Sequence, residues 1–498
     1  MLSAIVKKLP GTKANAGFAS NVTSRVAGPS GRKTVRCALL GAVTVAGIGL
    51  RYYRLGKWSF WRDEMFSVGD REDGFNYSAL RQSTSQYLIR QIVRRWGIDE
   101  RNARLIPAVI GAASVPLLYP LLRRTFTPQV AMLASALLAF SPWHLYWSQN
   151  ARFYTLLLLL YSLALFTFYL GLEEDSPSLL LASLLFLALA IRERMTALFY
   201  VPVVATYVAS LFLAGYPKPA GLHWRNLALY SLPGAVGALL FARPYLRDLP
   251  AWMEGFSPGN NNPLWLAGSF GYYLGLPVVL LALGSTIYGL TTKDRALLLA
   301  SSGAFVPLSI LVLITPFHYT ANRYGFITLT SWLALAGFGL TTLADHMLRN
   351  KRRIAAAAVL SLPFLQYLFD DVQYYSHNGN RARWKEALVY MRERLQDGDR
   401  VFSSDPDLAN HYLQRRTSHL QDLATAEFLG GGTRSWVIED SDTESAFPGL
   451  SEWLARHARQ VADFNVAVWS QIFKMRLYLV DSLGLEAYQR RESQLTAE

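Results

Sequence analysis

Apolar stretches long enough to cross a bilayer recur along this chain as far as about Phe369, and that recurrence leaves very few folds open. In hydrocarbon every backbone N–H and C=O must be satisfied by the protein itself, so only helices or closed barrels span it. The stretches lack the sustained period-two alternation of an outer-membrane barrel. They predict a polytopic α-helical membrane protein of about eleven transmembrane helices, at roughly 17 to 25 residues per span. The predicted helices lie near residues 34–50, 105–122, 130–148, 154–172, 179–191, 197–214, 226–243, 267–290, 296–314, 325–344 and 354–369, with boundaries good to about three residues.

The net charge of +14 is the kind of excess that can signal nucleic acid. Much of it instead sits in the N-terminal tail and in short loops between apolar stretches, the positive-inside pattern, so the predicted surface partner is membrane lipid and not RNA or DNA. Residues 1–33 contain no Asp or Glu and read as a basic cytoplasmic tail, with an organelle transit peptide as the alternative. Arg123 and Arg124, Lys218 and Arg225, Lys293 and Arg295, and Arg349 with Lys351 to Arg353 fall on alternate connections, which predicts that these are cytoplasmic. The intervening polar elements are then assigned to the opposite, extracytoplasmic face. The single cysteine, Cys37, can form no intrachain disulfide.

One of those outer elements carries the first negative charges of the chain, Asp63 and Glu64 in Trp61-Arg62-Asp63-Glu64. Carboxylates beside a bilayer are costly to dehydrate and are usually kept for water, a cation or a substrate. Neighbours in sequence diverge by about 100° on a helix, so the two are not expected to act as a symmetric pair. A salt bridge that merely holds the loop is the alternative. Arg152 and Tyr154 in Gln149 to Tyr154, Arg192 and Arg194, and Arg323-Tyr324 fall on the same predicted face, where a guanidinium fork suits a phosphate and a snorkelling side chain is the blander reading. His144 and His318 are candidates, with Asp63 and Glu64, for a divalent cation.

The first outer loop, 51–104, also holds Leu80, Tyr87, Leu88, Ile92, Val93 and Trp96 interleaved with Arg81, Arg90, Arg94 and Arg95, a pattern suited to a helix lying in the membrane interface. Asn21-Val22-Thr23 and Asn76-Tyr77-Ser78 fit the short glycosylation pattern. After Phe369 the composition becomes that of a small soluble α/β domain, 370–498. Helical spacing at Trp384, Leu388, Met391 and Leu395 precedes an apolar strand at Val401-Phe402. A strand at Trp436 to Ile438, a helix over Leu450 to Ala458 and alternation at Phe473, Met475, Leu477 and Leu479 follow.

Trp61-Arg62-Asp63-Glu64-Met65-Phe66-Ser67 after the first helix, Asn102-Ala103-Arg104-Leu105-Ile106-Pro107 opening the second, and Ser148 to Tyr154 together resemble the C-type (GT-C) membrane glycosyltransferases. The branch is that of the protein O-mannosyltransferases and the lipid A aminoarabinose transferase, in its bacterial form. Arg323-Tyr324 and the Arg383-Trp384-Lys385-Glu386-Ala387 helix extend the likeness. The resemblance implies a catalytic domain over 34–369 in a bacterial plasma membrane, transferring sugar from a polyprenyl-phosphate carrier to a glycan, lipid or protein acceptor on the outer face, with inversion. A phosphate leaves as a stabilised anion, so the reaction asks for one base and for cations, unlike glycoside hydrolysis with its flanking pair of carboxyls. On this resemblance Asp63 is the base, Glu64 its helper or alternate, and Arg152 and Arg323 the residues for the carrier phosphate; Arg62, beside them, is a further candidate for substrate binding or for pairing with one of the acids. A transporter or flippase for a lipid-linked saccharide, or a non-catalytic scaffold of an envelope-polysaccharide complex, are the alternatives.

Overall fold

In each of the two bent apolar stretches a proline, Pro142 or Pro277, lies in the first turn of the second helix. Pro142 removes an amide donor and disfavours helix at Ser141, so the stretch expected as one span breaks into helices Pro128–Phe140 and Pro142–Ser148, inclined at 54°. The guanidinium of Arg51 fills the break: its Nη1 donates to Ala139 O at 2.9 Å and its Nη2 to Leu138 O at 3.2 Å. Gly275, at φ +82°, and Pro277 make a second break, of 102°, between Pro263–Leu274 and Leu276–Thr292. The computed structural model describes residues 29–69, 83–237, 239, 262–423, 434–468 and 471–480. Both glycosylation patterns and most of the basic tail lie outside them.

Among the described residues seven helices are long and apolar enough to cross a membrane, or up to nine if each bent pair is one span. They are Lys33–Tyr52, Glu100–Thr125, Tyr154–Glu173, Met195–Leu213, Arg295–Ile314, Asn322–Arg349 and Arg353–Ser376. Two of the eleven expected spans are not in this set of up to nine. Pro177–Glu193 has 17 residues, about 26 Å at 1.5 Å per residue against a hydrocarbon core of about 30 Å, and the helix at 224–237 runs into residues outside the described set.

The chain divides into two compact units. The first comprises residues 1–51, 107–148 and 153–368 and carries the bulk of the membrane helices. Close approach there relies on small residues. A side chain at Gly303 would collide with Ser331, and Ser162 Oγ donates to Thr330 Oγ1 at 2.8 Å between Tyr154–Glu173 and Leu329–Arg349. Glu173 closes on Arg295 through two parallel hydrogen bonds.

The second unit joins residues 52–106, 149–152 and 369–498. Its sheet has the order β2-β1-β3-β7-β4, with β1 Arg400–Ser403, β2 Ser418–His419, β3 Ser435–Asp440, β4 Arg459–Asp463 and β7 Met475–Val480. A separate two-stranded ribbon pairs Val466–Val468 with Gln471–Phe473. β1 runs parallel to both β2 and β3, while β7 is antiparallel to β3 and β4. Period-two alternation splits the side chains between two cores. Val401, Trp436, Ile438, Met475 and Leu477 face one, and Phe402, Val437, Tyr478 and Val480 face the other with Leu450, Trp453 and Leu454. The first of these cores is completed by Phe60, Val68, Ile89, Val93, Ala103 and Ala151, all from the two segments far upstream in sequence.

Candidate active site

Arg62–Val68 is a helix of seven residues with no side-chain cap at Trp61, too short to hold itself together in isolation. Its geometry comes from four residues elsewhere in the unit, Gln149 to Arg152. Gln149 Oε1 accepts from Trp58 Nε1 at 3.2 Å and from the Tyr374 hydroxyl at 2.9 Å, and Asn150 Oδ1 accepts from Trp61 Nε1 at 2.6 Å. The Ala151 amide donates to Glu64 Oε1 at 2.7 Å, and Arg152 Nη1 donates to Asp63 O at 2.6 Å and to Ser67 Oγ at 3.2 Å. Each residue of this segment thus grips the acidic helix or the chain leading into it.

The two carboxylates part completely in this setting. Glu64 has no exposed surface. Its Oε1 accepts from Arg104 Nε at 2.8 Å, and its Oε2 from Arg104 Nη2 at 2.7 Å and Arg381 Nη1 at 3.0 Å. Burial alone would raise the Glu64 carboxyl, but Arg104 first, then Arg381 and the Ala151 amide, outweigh it and hold the group below the usual carboxylate range. Arg104 spends its remaining donors on the carbonyls of Leu55, Trp58 and Ser59, so a guanidinium with no exposed surface is fully satisfied. The Glu64 oxygens are committed to contacts within the unit. Asp63 keeps 21% of its side chain exposed, with Arg152 Nη2 at 4.0 Å from its Oδ2. Asp63 is the member of the pair with exposed surface.

The other expected site residues fall in different places. Arg62, expected to bind substrate, is instead engaged by Asp405, Ser404 and Asp442 of its own unit. Arg152 is nearly buried and spends Nη1 on the acidic helix, so it positions more than it presents a fork to a ligand. Tyr154, Arg192, Arg194, Arg323, Tyr324, His144 and His318 belong to the membrane unit. Tyr154 is buried against Trp147, ring centroids 3.8 Å apart. Arg192 is exposed, the Arg194 guanidinium lies over the Phe153 ring, and Arg323, half-buried, lies over Tyr324.

The four residues named for a cation do not form a ligand set. Among the described residues no group of three or more His, Cys, Asp or Glu side chains is placed to hold a metal. Glu64 is held by two arginines, and His144 Nδ1 accepts from Arg51 Nη2 at 2.5 Å. His318 is half-buried at the end of Arg295–Ile314.

Sequence reasoning assigned no site role to Arg104 or Arg381. Both were legible as a class: an arginine opening an apolar helix, and one just before Trp384, must find an acid if they are buried. That both choose Glu64 depends on contacts 40 and 317 residues apart.

The predicted interfacial helix spans Thr84–Trp96, opened by a capping box of Ser83 and Gln86. Ile89 and Val93 enter the core, and Arg90 Nε donates to Ser67 O at 3.3 Å beside the acidic helix. Tyr87, Arg94, Arg95 and Trp96 remain exposed.

Residues 84–246 match the model of the dolichyl-phosphate-mannose-protein mannosyltransferase family, about a third of the chain. Among solved structures, the fold is similar to that of ArnT from Cupriavidus metallidurans, at 13% identity and a TM-score of 0.53, covering 91% of this chain and 99% of that one. It is also similar to the oligosaccharyltransferase AglB from Archaeoglobus fulgidus, solved with an inhibitory peptide and a dolichol-phosphate. That match has 13% identity and a TM-score of 0.52, over 91% of this chain and 75% of that one. No curated protein sequence matches the chain.

Proposed function

We infer that this chain, a C-type membrane glycosyltransferase of the protein mannosyltransferase and ArnT type, moves a sugar from a polyprenyl-phosphate carrier to an acceptor hydroxyl or amine with inversion at the anomeric carbon. The observation that carries this reading is the asymmetry of the acidic pair, one carboxylate fully buried and one with part of its side chain exposed. Asp63 takes the proton of the acceptor as it attacks the anomeric carbon, and the sugar–phosphate bond breaks with its electron pair leaving on the carrier phosphate. A single partly exposed carboxylate meets this requirement, because the departing phosphate needs no acid to protonate it. Cations stabilise the charge that develops on it.

Arg323 with Tyr324, and Arg192 and Arg194, all of the membrane unit, are proposed as substrate-binding residues. The similarity to AglB, which was solved with a dolichol-phosphate, supports a polyprenyl carrier. The loop charges support an extracytoplasmic reaction in a bacterial plasma membrane, and the exposed Tyr87, Trp96, Arg94 and Arg95 support contact of the first loop with lipid head groups. The test is to incubate the purified protein with labelled polyprenyl-phosphate sugar and acceptor and to score transfer and release of free carrier. Asp63→Asn is expected to lower turnover at least about a hundredfold, the scale of a lost general base, while carrier binding and melting temperature stay near those of the parent. Undiminished turnover would remove Asp63 from the reaction.

A further inference from the structure

Arg62 stands beside Asp63 in a helix that has no cap and only two turns, and its guanidinium is anchored on the C-terminal sheet. Its Nε donates to Asp405 Oδ2 at 3.2 Å, its Nη2 to Ser404 O at 3.0 Å, and its Nη1 lies 3.5 Å from Asp442 Oδ2. Ser404 and Asp405 directly follow β1, and Asp442 follows β3. The parallel pairing of Ser403 with Ile438 brings the carboxyl ends of those strands side by side.

The acids are themselves held. Asp405 Oδ1 accepts from the Leu408 amide at 3.3 Å at the start of Pro406–Leu413, and the Asp405 amide donates to Ser403 Oγ at 3.1 Å. Ser404 Oγ donates to Asp440 Oδ2 at 2.6 Å, and Thr443 Oγ1 donates to Asp440 Oδ1 at 2.7 Å. Arg62 therefore meets one well-held acid, Asp405, with the 58% exposed Asp442 carboxylate as a longer second contact.

We propose that Arg62 is a positioning residue: Asp405 and Asp442, at the ends of β1 and β3, clamp its guanidinium and so set the direction in which the neighbouring Asp63 carboxylate faces. The acidic helix is then located from two sides, by Arg152 on the Asp63 carbonyl and by the sheet on Arg62. A role for the C-terminal region follows, that of orienting the base. The inference rests on the assignment of Asp63 as the base. A displacement of about 1 Å at a reacting group costs up to roughly a hundredfold in rate, so a clamp of this kind acts on turnover more than on binding.

The experiment uses the full-length protein in lipid nanodiscs with labelled polyprenyl-phosphate sugar, measuring kcat, donor KM and melting temperature for R62Q, R62K, D405N, D442N and D63N. For R62Q we expect kcat to fall about tenfold or more with donor KM within about twofold, the pattern of an interaction that matters in the transition state. R62K should recover only part of kcat, since a single ammonium replaces a planar fork that reaches two carboxylates and a carbonyl. D405N and D442N should each lower kcat in the parent and add little in the R62Q background, because they act through the same group.

R62Q with parental kcat, beside an inactive D63N, overturns the clamp and leaves the base assignment standing. An active D63N overturns the base assignment, whatever R62Q does. R62Q that raises donor KM with kcat unchanged makes Arg62 a substrate contact and also overturns the clamp. Should R62Q fail to fold, D442N carries the same test, because the Asp442 side chain is 58% exposed and its amide analogue is nearly isosteric.

Discussion

Asp63 and Glu64 differ by one position and by almost everything else that decides what a carboxylate does. Glu64 is a buried anion between two buried arginines, and taking away one member of such a cluster leaves charge without compensation, at about 3 to 5 kcal/mol. Glu64→Gln is therefore expected to lower the melting temperature by several degrees or to prevent accumulation of folded protein. Asp63→Asn, at a partly exposed position, should change stability by less than about 1 kcal/mol. Thermal unfolding of the two purified variants distinguishes them, and equal melting temperatures would show that the buried cluster contributes nothing. The pH dependence has a definite sign. The folded Glu64 pKa lies below its unfolded value of about 4.3, so its stabilisation is fully present above that pH and is lost as pH falls through the lower folded value. The parent should lose stability on acidification below about pH 4, and Glu64→Gln should show a weaker acid dependence.

At the scale of elements, what could be read from the sequence was pattern, and what could not was partnership. The helix at Trp384–Arg392 and strands β3 and β7 follow from helical spacing and alternation, signals that survive any arrangement of neighbours. The breaks at Ser141 and Gly275 were written in Pro142 and in Gly275 with Pro277, yet two uniformly apolar stretches read as single spans, because hydropathy carries no direction. The candidate site was half legible. The acidic pair and the Gln149 to Arg152 segment stand out by residue type, whereas Arg104, Arg381, Asp405 and Asp442 reach them only through the folded chain. The loop before Arg381 shows how fine that placement is. Gly379 has φ +63°, and a Cβ there would come within 2.8 Å of the Trp58 ring, whose Nε1 donates to Gln149. Gly379→Ala combines left-handed strain with displacement of that ring, at about 1 to 3 kcal/mol. The expected outcome is a lower denaturation midpoint together with reduced turnover, both measurable on the purified variant. Unchanged values would mean that the loop relaxes freely.

At the scale of the whole molecule, a boundary drawn by composition at about residue 370 separates a segment that looks self-sufficient, with its own helices and five-stranded sheet. Its larger core, however, packs Trp384, Leu388, Val401, Trp436, Met475 and Leu477 against Phe60, Val68, Ile89, Val93 and Ala151 from residues 52–106 and 149–152. Cutting at 370 strips that face and exposes an apolar patch of a kind that folded monomers rarely show. It also orphans polar groups. Arg381 loses Glu64, Asp405 loses Arg62, and Lys385 and the Tyr412 hydroxyl both lose Glu100, to which they are bonded at 3.2 and 2.8 Å. Those groups then face water, so the fragment loses the charge-assisted bonds and the packing that held this face, against a typical domain stability of about 5 to 15 kcal/mol. A fragment of residues 370–498 produced alone is thus expected to aggregate or to remain loosely packed, binding a hydrophobic dye and melting without a cooperative transition. A soluble fragment with dispersed amide resonances and a sharp melt would show that the sheet supports its own core, and that the first loop docks on a surface already formed.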